Sequence, residues 1–176
     1  MPYELLRSET IFTGRVFALR RDEVSMPEGR TAQLDIVVHP GAATMLPLDT
    51  EGRIWFVRQY RHAAGQSLLE LPAGTLNPGE SHDVCAAREI REEIGMAAGN
   101  LQYLGGFFLA PGYSTEYLHI YLATDLYPDA GQPDEDELID IVKLPIAEAY
   151  ALASTGQIND GKTLAALLLA MPMLHK

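Results

Sequence analysis

Residues 74–96 read GTLNPGESHDVCAAREIREEIGM, and this stretch decides how the rest of the chain is read. Asn77-Pro78-Gly79 is a turn signal. Ser81 suits a helix N-cap, and Asp83 falls in the first turn, where a carboxylate complements the exposed N–H groups. Gly95 is the matching C-terminal stop. The spacing therefore predicts a helix running to about Ile94. A helix turns by about 100° per residue, so Glu89, Glu92 and Glu93 project from one side. Val84, Ala87, Ile90 and Ile94 are expected on the opposite, core-facing side. Like charges three and four apart disfavour an isolated helix. Two readings are open. The carboxylates form a solvated acidic face, partly neutralised by Arg88 and Arg91. Or they hold a hard cation such as Mg²⁺ or Mn²⁺, which commonly shares its coordination sphere with substrate phosphates.

Downstream of the helix, Leu101 to Leu109 and Tyr117 to Ala123 read as strands parted by the Pro111-Gly112 turn. Asp129 to Glu137 is an acidic loop, and Leu138 to Leu144 is another strand. Pro145 opens a helix that stops at Gly156, and Asp160 caps a last helix through Met171. Upstream, Leu68 to Leu71 is a short apolar run ended by Pro72. Ala42 to Leu48 and Arg53 to Tyr60 read as a hairpin across Asp49-Thr50-Glu51-Gly52. Residues 3 to 39 are β-rich, with a hairpin turn at Pro27-Glu28-Gly29, and His39-Pro40-Gly41 separates them from the next strand. The expected division is an N-terminal β extension over 1–40 and a main domain over 41–176. Intermixed strands and helices favour an α/β or α+β sandwich.

Composition narrows the function. The 176 residues carry a net charge of −11, with 47% hydrophobic residues. Such acidity is wrong for a binder of long nucleic acid, which needs basic surface. A small anionic ligand would need a cation or a local basic pocket. Cys85 is the single cysteine, so no intrachain disulfide forms and a reducing compartment is allowed. MPYELLRSET lacks a basic region followed by an apolar run. The apolar stretch 164–174 contains Pro172 and is too short to span a bilayer. A cytoplasmic protein without membrane partners is expected. The histidines, His39, His62, His82, His119 and His175, show no metal-ligand spacing.

The stretch at 74–96 resembles the Nudix box, GX₅EX₇REUXEEXGU, where U is a bulky aliphatic residue. Gly74, Glu80, Arg88, Glu89, Ile90, Glu92, Glu93, Gly95 and Met96 match every specified position. The resemblance implies the Nudix fold, an α/β/α sandwich around a mixed sheet, with the N-terminal antiparallel extension attached. It implies metal-dependent hydrolysis of a nucleoside diphosphate linked to another moiety. Carried over by position, Glu89, Glu92 and Glu93 are metal ligands, joined by the Ala73 carbonyl. Arg88 orients the carboxylates, with Gly74 and Glu80 in support. In such a site Mg²⁺ or Mn²⁺ offsets pyrophosphate charge and lowers the pKa of a bound water.

Leu109-Ala110-Pro111-Gly112-Tyr113-Ser114-Thr115-Glu116 is similar to the pattern of the ADP-ribose pyrophosphatase subgroup, as are 57–61 and 69–74. The resemblance then places Pro111 and Gly112 at the substrate, and Arg61 on a phosphate, where a planar fork fits. Glu70 anchors a sugar or a metal-bound water. In the subgroup a glutamate of the mobile acidic loop activates the water, here Glu135, with Glu137 as runner-up or further metal contact. Residues 3 to 39 suit a dimerising, substrate-covering extension, so a homodimer is implied. The expected reaction converts ADP-ribose to AMP and ribose 5-phosphate. The alternatives are a GDP- or UDP-sugar hydrolase and a non-catalytic nucleotide-sensing module.

Overall fold

The computed structural model describes residues 3–132 and 138–174. The strands are β1 (Glu4–Thr13), β2 (Ala18–Ser25), β3 (Thr31–Val38), β4 (Ala42–Pro47), β5 (Arg53–Arg61), β6 (Gln66–Glu70), β7 (Ala73–Thr75), β8 (Met96–Phe108), β9 (Tyr117–Pro128) and β10 (Ile139–Pro145). The helices are α1 (His82–Ile94), α2 (Ile146–Ser154) and α3 (Gly161–Leu174).

β4 is the centre of the molecule. Every one of its residues is buried, as a strand covered on both faces requires. It lies in a mixed sheet of order β7-β4-β9-β8, parallel to β9 and antiparallel to β7. A second sheet, β10-β5-β6, stands beside it. Strand alternation sorts the side chains into two cores. Ala43, Met45, Tyr121, Trp55 and Val57 pack on α1 through Cys85, Ala86, Ile90 and Ile94. Leu46, Ile120, Phe56, Leu69 and Leu71 pack on α2 and α3 through Ala149, Ala166, Leu167 and Ala170. The result is the α/β/α layering expected from the sequence.

Three local expectations need correction. β4 and β5 do not form a hairpin. They pair only at Leu48↔Ile54 and then part into different sheets. Asp49 explains the divergence: its carboxylate accepts from the Glu51 and Arg53 N–H groups, from Arg53 Nε and from Trp55 Nε1. The turn is thus tied by a side chain and needs no ladder behind it. Residues 3–39 do form the hairpin expected across Pro27-Glu28-Gly29, as β2 with β3, but they add a further strand, β1, because Gly14 to Phe17 turn the chain between β1 and β2. Finally, Val84 is 54% exposed and Ala87 is also exposed, whereas Glu89 and Glu93 are buried with Cys85, Ala86, Ile90 and Ile94. α1 is rotated so that two of its carboxylates lie at the edge of the core face, not opposite it. Polar partners on β7 and within α1 make that burial tolerable.

The helix ends behave largely as expected. Gly95 takes a left-handed φ of 68° and donates its N–H to the Arg91 carbonyl. Asp160 Oδ2 accepts from Thr163 N at 3.0 Å, capping α3. Ser81 precedes α1 without a side-chain capping bond.

Candidate active site

Between α1 and the start of α3 lies a cavity of about 1070 Å³. One side is built from α1 and β7: Ala73, Gly74, Arg88, Glu89 and Glu92 line it. The other side receives Arg61 from the end of β5 and Asp160, Gly161 and Lys162 from the start of α3. Leu109 and Glu116 lie along the rim, and Arg15 reaches in from the β1–β2 turn.

Arg88 organises the α1 side. Its Nε and Nη2 meet the two oxygens of Glu80 at 2.8 and 2.9 Å, a bidentate pairing. Its Nη1 reaches Glu89 Oε1 at 2.5 Å and Glu92 Oε2 at 2.8 Å. Its Nη2 also donates to the Thr75 carbonyl. Hydrogen bonding to Glu80 is the main influence raising the guanidinium's pKa further, so it stays charged. The same pairing holds the Glu80 carboxyl below its ordinary range, against the effect of burial.

Gly74 is required by close approach. A Cβ built there would stand 1.8 Å from Glu89 Oε1, in the space the carboxylate occupies. Glu93 lies behind the cavity wall, where its Oε2 accepts the Ala73 N–H at 3.2 Å. The Ala73 carbonyl segment is thus tied to α1.

The donor set suits a hard cation. One guanidinium faces the three carboxylates of Glu80, Glu89 and Glu92, and all the available donors are oxygens. Among the described residues, no three His, Cys, Asp or Glu side chains converge closely enough, as they stand, to hold an ion. Arg88 draws Glu89 and Glu92 to itself, and a divalent ion would compete with it for those oxygens.

Of the other expected residues, Arg61 is at the cavity. Glu70 is buried behind it and binds Arg61 through both oxygens, at 2.9 and 2.8 Å. Pro111 and Gly112 are on the turn between β8 and β9, just beyond the rim residue Leu109. Glu135 and Glu137 lie outside the described residues.

Sequence reasoning missed Arg15, Glu116, Asp160 and Lys162 as cavity residues. A signal for the last existed: Lys162 is one of only three lysines, with Lys143 and Lys176, in a strongly acidic chain. It also comes directly after an N-cap aspartate and a glycine. Cys85 is buried on the core face of α1, with its thiol pushed up to about 12 by burial and then by the charge of Glu89, so it is not a nucleophile. His82, the first residue of α1, and His119 of β9 stack at 4.0 Å, and neither lines the cavity.

The geometry agrees with comparison to known proteins. The family described as NUDIX domain matches residues 38–167. The chain belongs to the Nudix family and is an enzyme of the Nudix hydrolase type. Over 94% of its length it is 42% identical to an ADP-ribose pyrophosphatase of Mycobacterium tuberculosis, 82% of which is covered. It is 38% identical, over 92% of its length and 89% of the relative, to a methanol dehydrogenase activator of Bacillus methanolicus. A GDP-mannose pyrophosphatase of Yersinia pestis is 34% identical over 77% of this chain and 71% of its own. A crystal structure of an ADP compounds hydrolase superposes with a TM-score of 0.88 at 26% identity, covering 99% of this chain and 95% of that one. A divalent-metal requirement is general in this family. Among the described residues, no helix is long and apolar enough to cross a membrane.

Proposed function

We propose that the protein hydrolyses the pyrophosphate bond of ADP-ribose, giving AMP and ribose 5-phosphate. The observation that carries this reading is the two-sided cavity, with carboxylates from the box helix on one side and Arg61 and Lys162 on the other. A diphosphate needs both: hard oxygens to hold Mg²⁺ or Mn²⁺, and a fixed basic group, here the Arg61 fork, for the phosphate oxygens. The volume suits a ligand of nucleotide-sugar size.

In this reading Glu89, Glu92, Glu93 and the Ala73 carbonyl would hold the metal, taking over the Glu89 and Glu92 oxygens that Arg88 now engages, while Arg88 would stay fixed by Glu80 beside them. A divalent ion held there would offset diphosphate charge and lower the pKa of a water. Arg61 binds phosphate oxygens, and Glu70 holds Arg61 in place. The Leu109 to Glu116 turn, with Pro111 and Gly112, borders the substrate. Glu135 accepts the proton of the attacking water, with Glu137 as the alternative. Water adds across one phosphorus–oxygen bond, so the two products share its hydroxyl and its proton. The exposed apolar residues of β1, Leu5, Leu6, Ile11 and Phe12, support a homodimer formed through the N-terminal sheet.

Chromatographic detection of AMP from ADP-ribose with Mg²⁺ or Mn²⁺ tests the reading. Efficient AMP release is expected, and none with either ion overturns it. A higher kcat/KM on GDP-mannose or a UDP-sugar would instead assign the cavity to that nucleotide sugar.

A further inference from the structure

Glu70 is 1% exposed, and a carboxylate so buried is costly unless it is paired. It has two cationic partners. Arg61 takes both its oxygens, and Lys162 Nζ donates to Oε2 from a position 92 residues away. Burial is the largest single influence on the Glu70 carboxyl and pushes it up. The Arg61 hydrogen bond and the charge and hydrogen bond of Lys162 together outweigh it and hold the group below its ordinary range. Lys162 also lies 3.1 Å from Asp160 Oδ2. Asp160 in turn accepts from Thr163 Oγ1 at 2.6 Å, and Thr163 Oγ1 accepts the Leu71 N–H at 2.8 Å.

The first turn of α3 therefore grips two successive residues: Glu70 by its side chain and Leu71 by its main chain. The next two are held from elsewhere. The Pro72 carbonyl accepts from Met45 N, and the Ala73 N–H donates to Glu93. The segment entering the site is fixed at every residue.

The charges on this side nearly cancel, with Arg61 and Lys162 set against Glu70 and Asp160. A balanced cluster attracts a diphosphate only if its cations are held facing the cavity. Placement, not surplus charge, sets its affinity. An ammonium with three donors can serve two carboxylates at once without the planar constraint of a guanidinium. Without it, the buried carboxylate would be held by the Arg61 fork alone, and the position of that carboxylate, and of the fork bound to it, would be set less tightly.

We propose that Lys162 is a positioning residue: by holding Glu70 it fixes where Arg61 presents its guanidinium to the substrate diphosphate, and it locks α3 to the segment that carries the Ala73 carbonyl. This rests on the nucleotide-sugar reading above. The test compares wild type, Lys162→Met, Glu70→Gln and the double variant in ADP-ribose turnover and in amide hydrogen exchange without metal. Lys162→Met should raise KM by about 10-fold and change kcat less than about 3-fold. In the Glu70→Gln background, the same substitution should add less than about 2-fold, because the two act as one unit. Exchange at the Leu71 amide, held by the first turn of α3, should quicken about 10-fold in Lys162→Met, and that at Ala73, held by Glu93, should not. Should that variant not fold, Lys162→Gln carries the same expectations. An unchanged KM, full additivity with Glu70→Gln, or unchanged exchange at the Leu71 amide overturns the proposal. A wild type that releases no AMP defeats the substrate reading instead, and the exchange measurement then decides the role of Lys162 by itself.

Discussion

On the α1 side of the cavity, Arg88 meets Glu80, Glu89 and Glu92 across at most eight positions of sequence. On the α3 side, Lys162 meets Glu70 across 92. The first cluster carries more carboxylate than cation and is held by contacts that a divalent ion could take over. The second is charge-balanced and saturated. One side is arranged to exchange partners and the other to keep them, which suits a metal centre facing a fixed phosphate clamp.

The sharpest way to break this comparison is to neutralise the exchangeable side. Glu92→Gln and Glu89→Gln should each lower kcat/KM for ADP-ribose by about 10³-fold, the scale of losing a preorganised electrostatic contact at the reacting charge. The melting temperature without metal should change little, because Arg88 retains its bidentate partner Glu80. Steady-state kinetics beside calorimetry measures both. A Glu92→Gln enzyme with more than about a tenth of wild-type activity would show that the α1 side is not where the reaction barrier is lowered.

The same division decides how much of the molecule was legible from sequence. The α1 side is local: turn, cap, helix period and Gly95 stop all lie within residues 74–96, and the helix is found where they put it. Its rotation was not legible. Glu89 and Glu93 are buried because β7 and Arg88 offer partners, and no helical period reports those partners. A sandwich of strands and helices was readable from their alternation, and its α/β/α layering from the resemblance carried by residues 74–96. The expected hairpin at Asp49 failed because a side chain closes that turn, while β4 and β5 find their main partners far away in the chain. Lys162, Asp160 and Arg15 were missed for the same reason: they reach the cavity only through tertiary packing.

Arg88→Lys gives an intermediate effect and sharpens the comparison. The guanidinium serves Glu80 through one edge and Glu89 with Glu92 through the other. An ammonium on a shorter stem cannot span both. Stability should fall by about 2 kcal/mol, the scale of hydrogen bonds to charged groups. For a domain of this size that is a fall of about 4–8 °C in melting temperature. A variant that melts with wild type would mean that Glu80 is not tied to Glu89 and Glu92 through this residue.

The smallest expected effect compares two paired carboxylates directly, the partly buried Glu80 and the buried Glu70. Glu80 is held below its ordinary range chiefly by its hydrogen bond to Arg88. Glu70 is held low by Arg61 and Lys162 in spite of burial. A carboxyl depressed in the folded state adds stability that is fully present above its unfolded pKa, about 4.3. That stability is lost as pH falls through the folded value. Urea midpoints should therefore be insensitive to both groups between about pH 6 and pH 7 and decline below about pH 4. Glu80→Gln and Glu70→Gln should each flatten that decline, Glu80→Gln no longer doing so once Arg88 is replaced, and Glu70→Gln still doing so. If replacing Arg88 also removed the Glu70 contribution, the two sides would share one electrostatic network, and their separation into an exchangeable wall and a fixed one would fail.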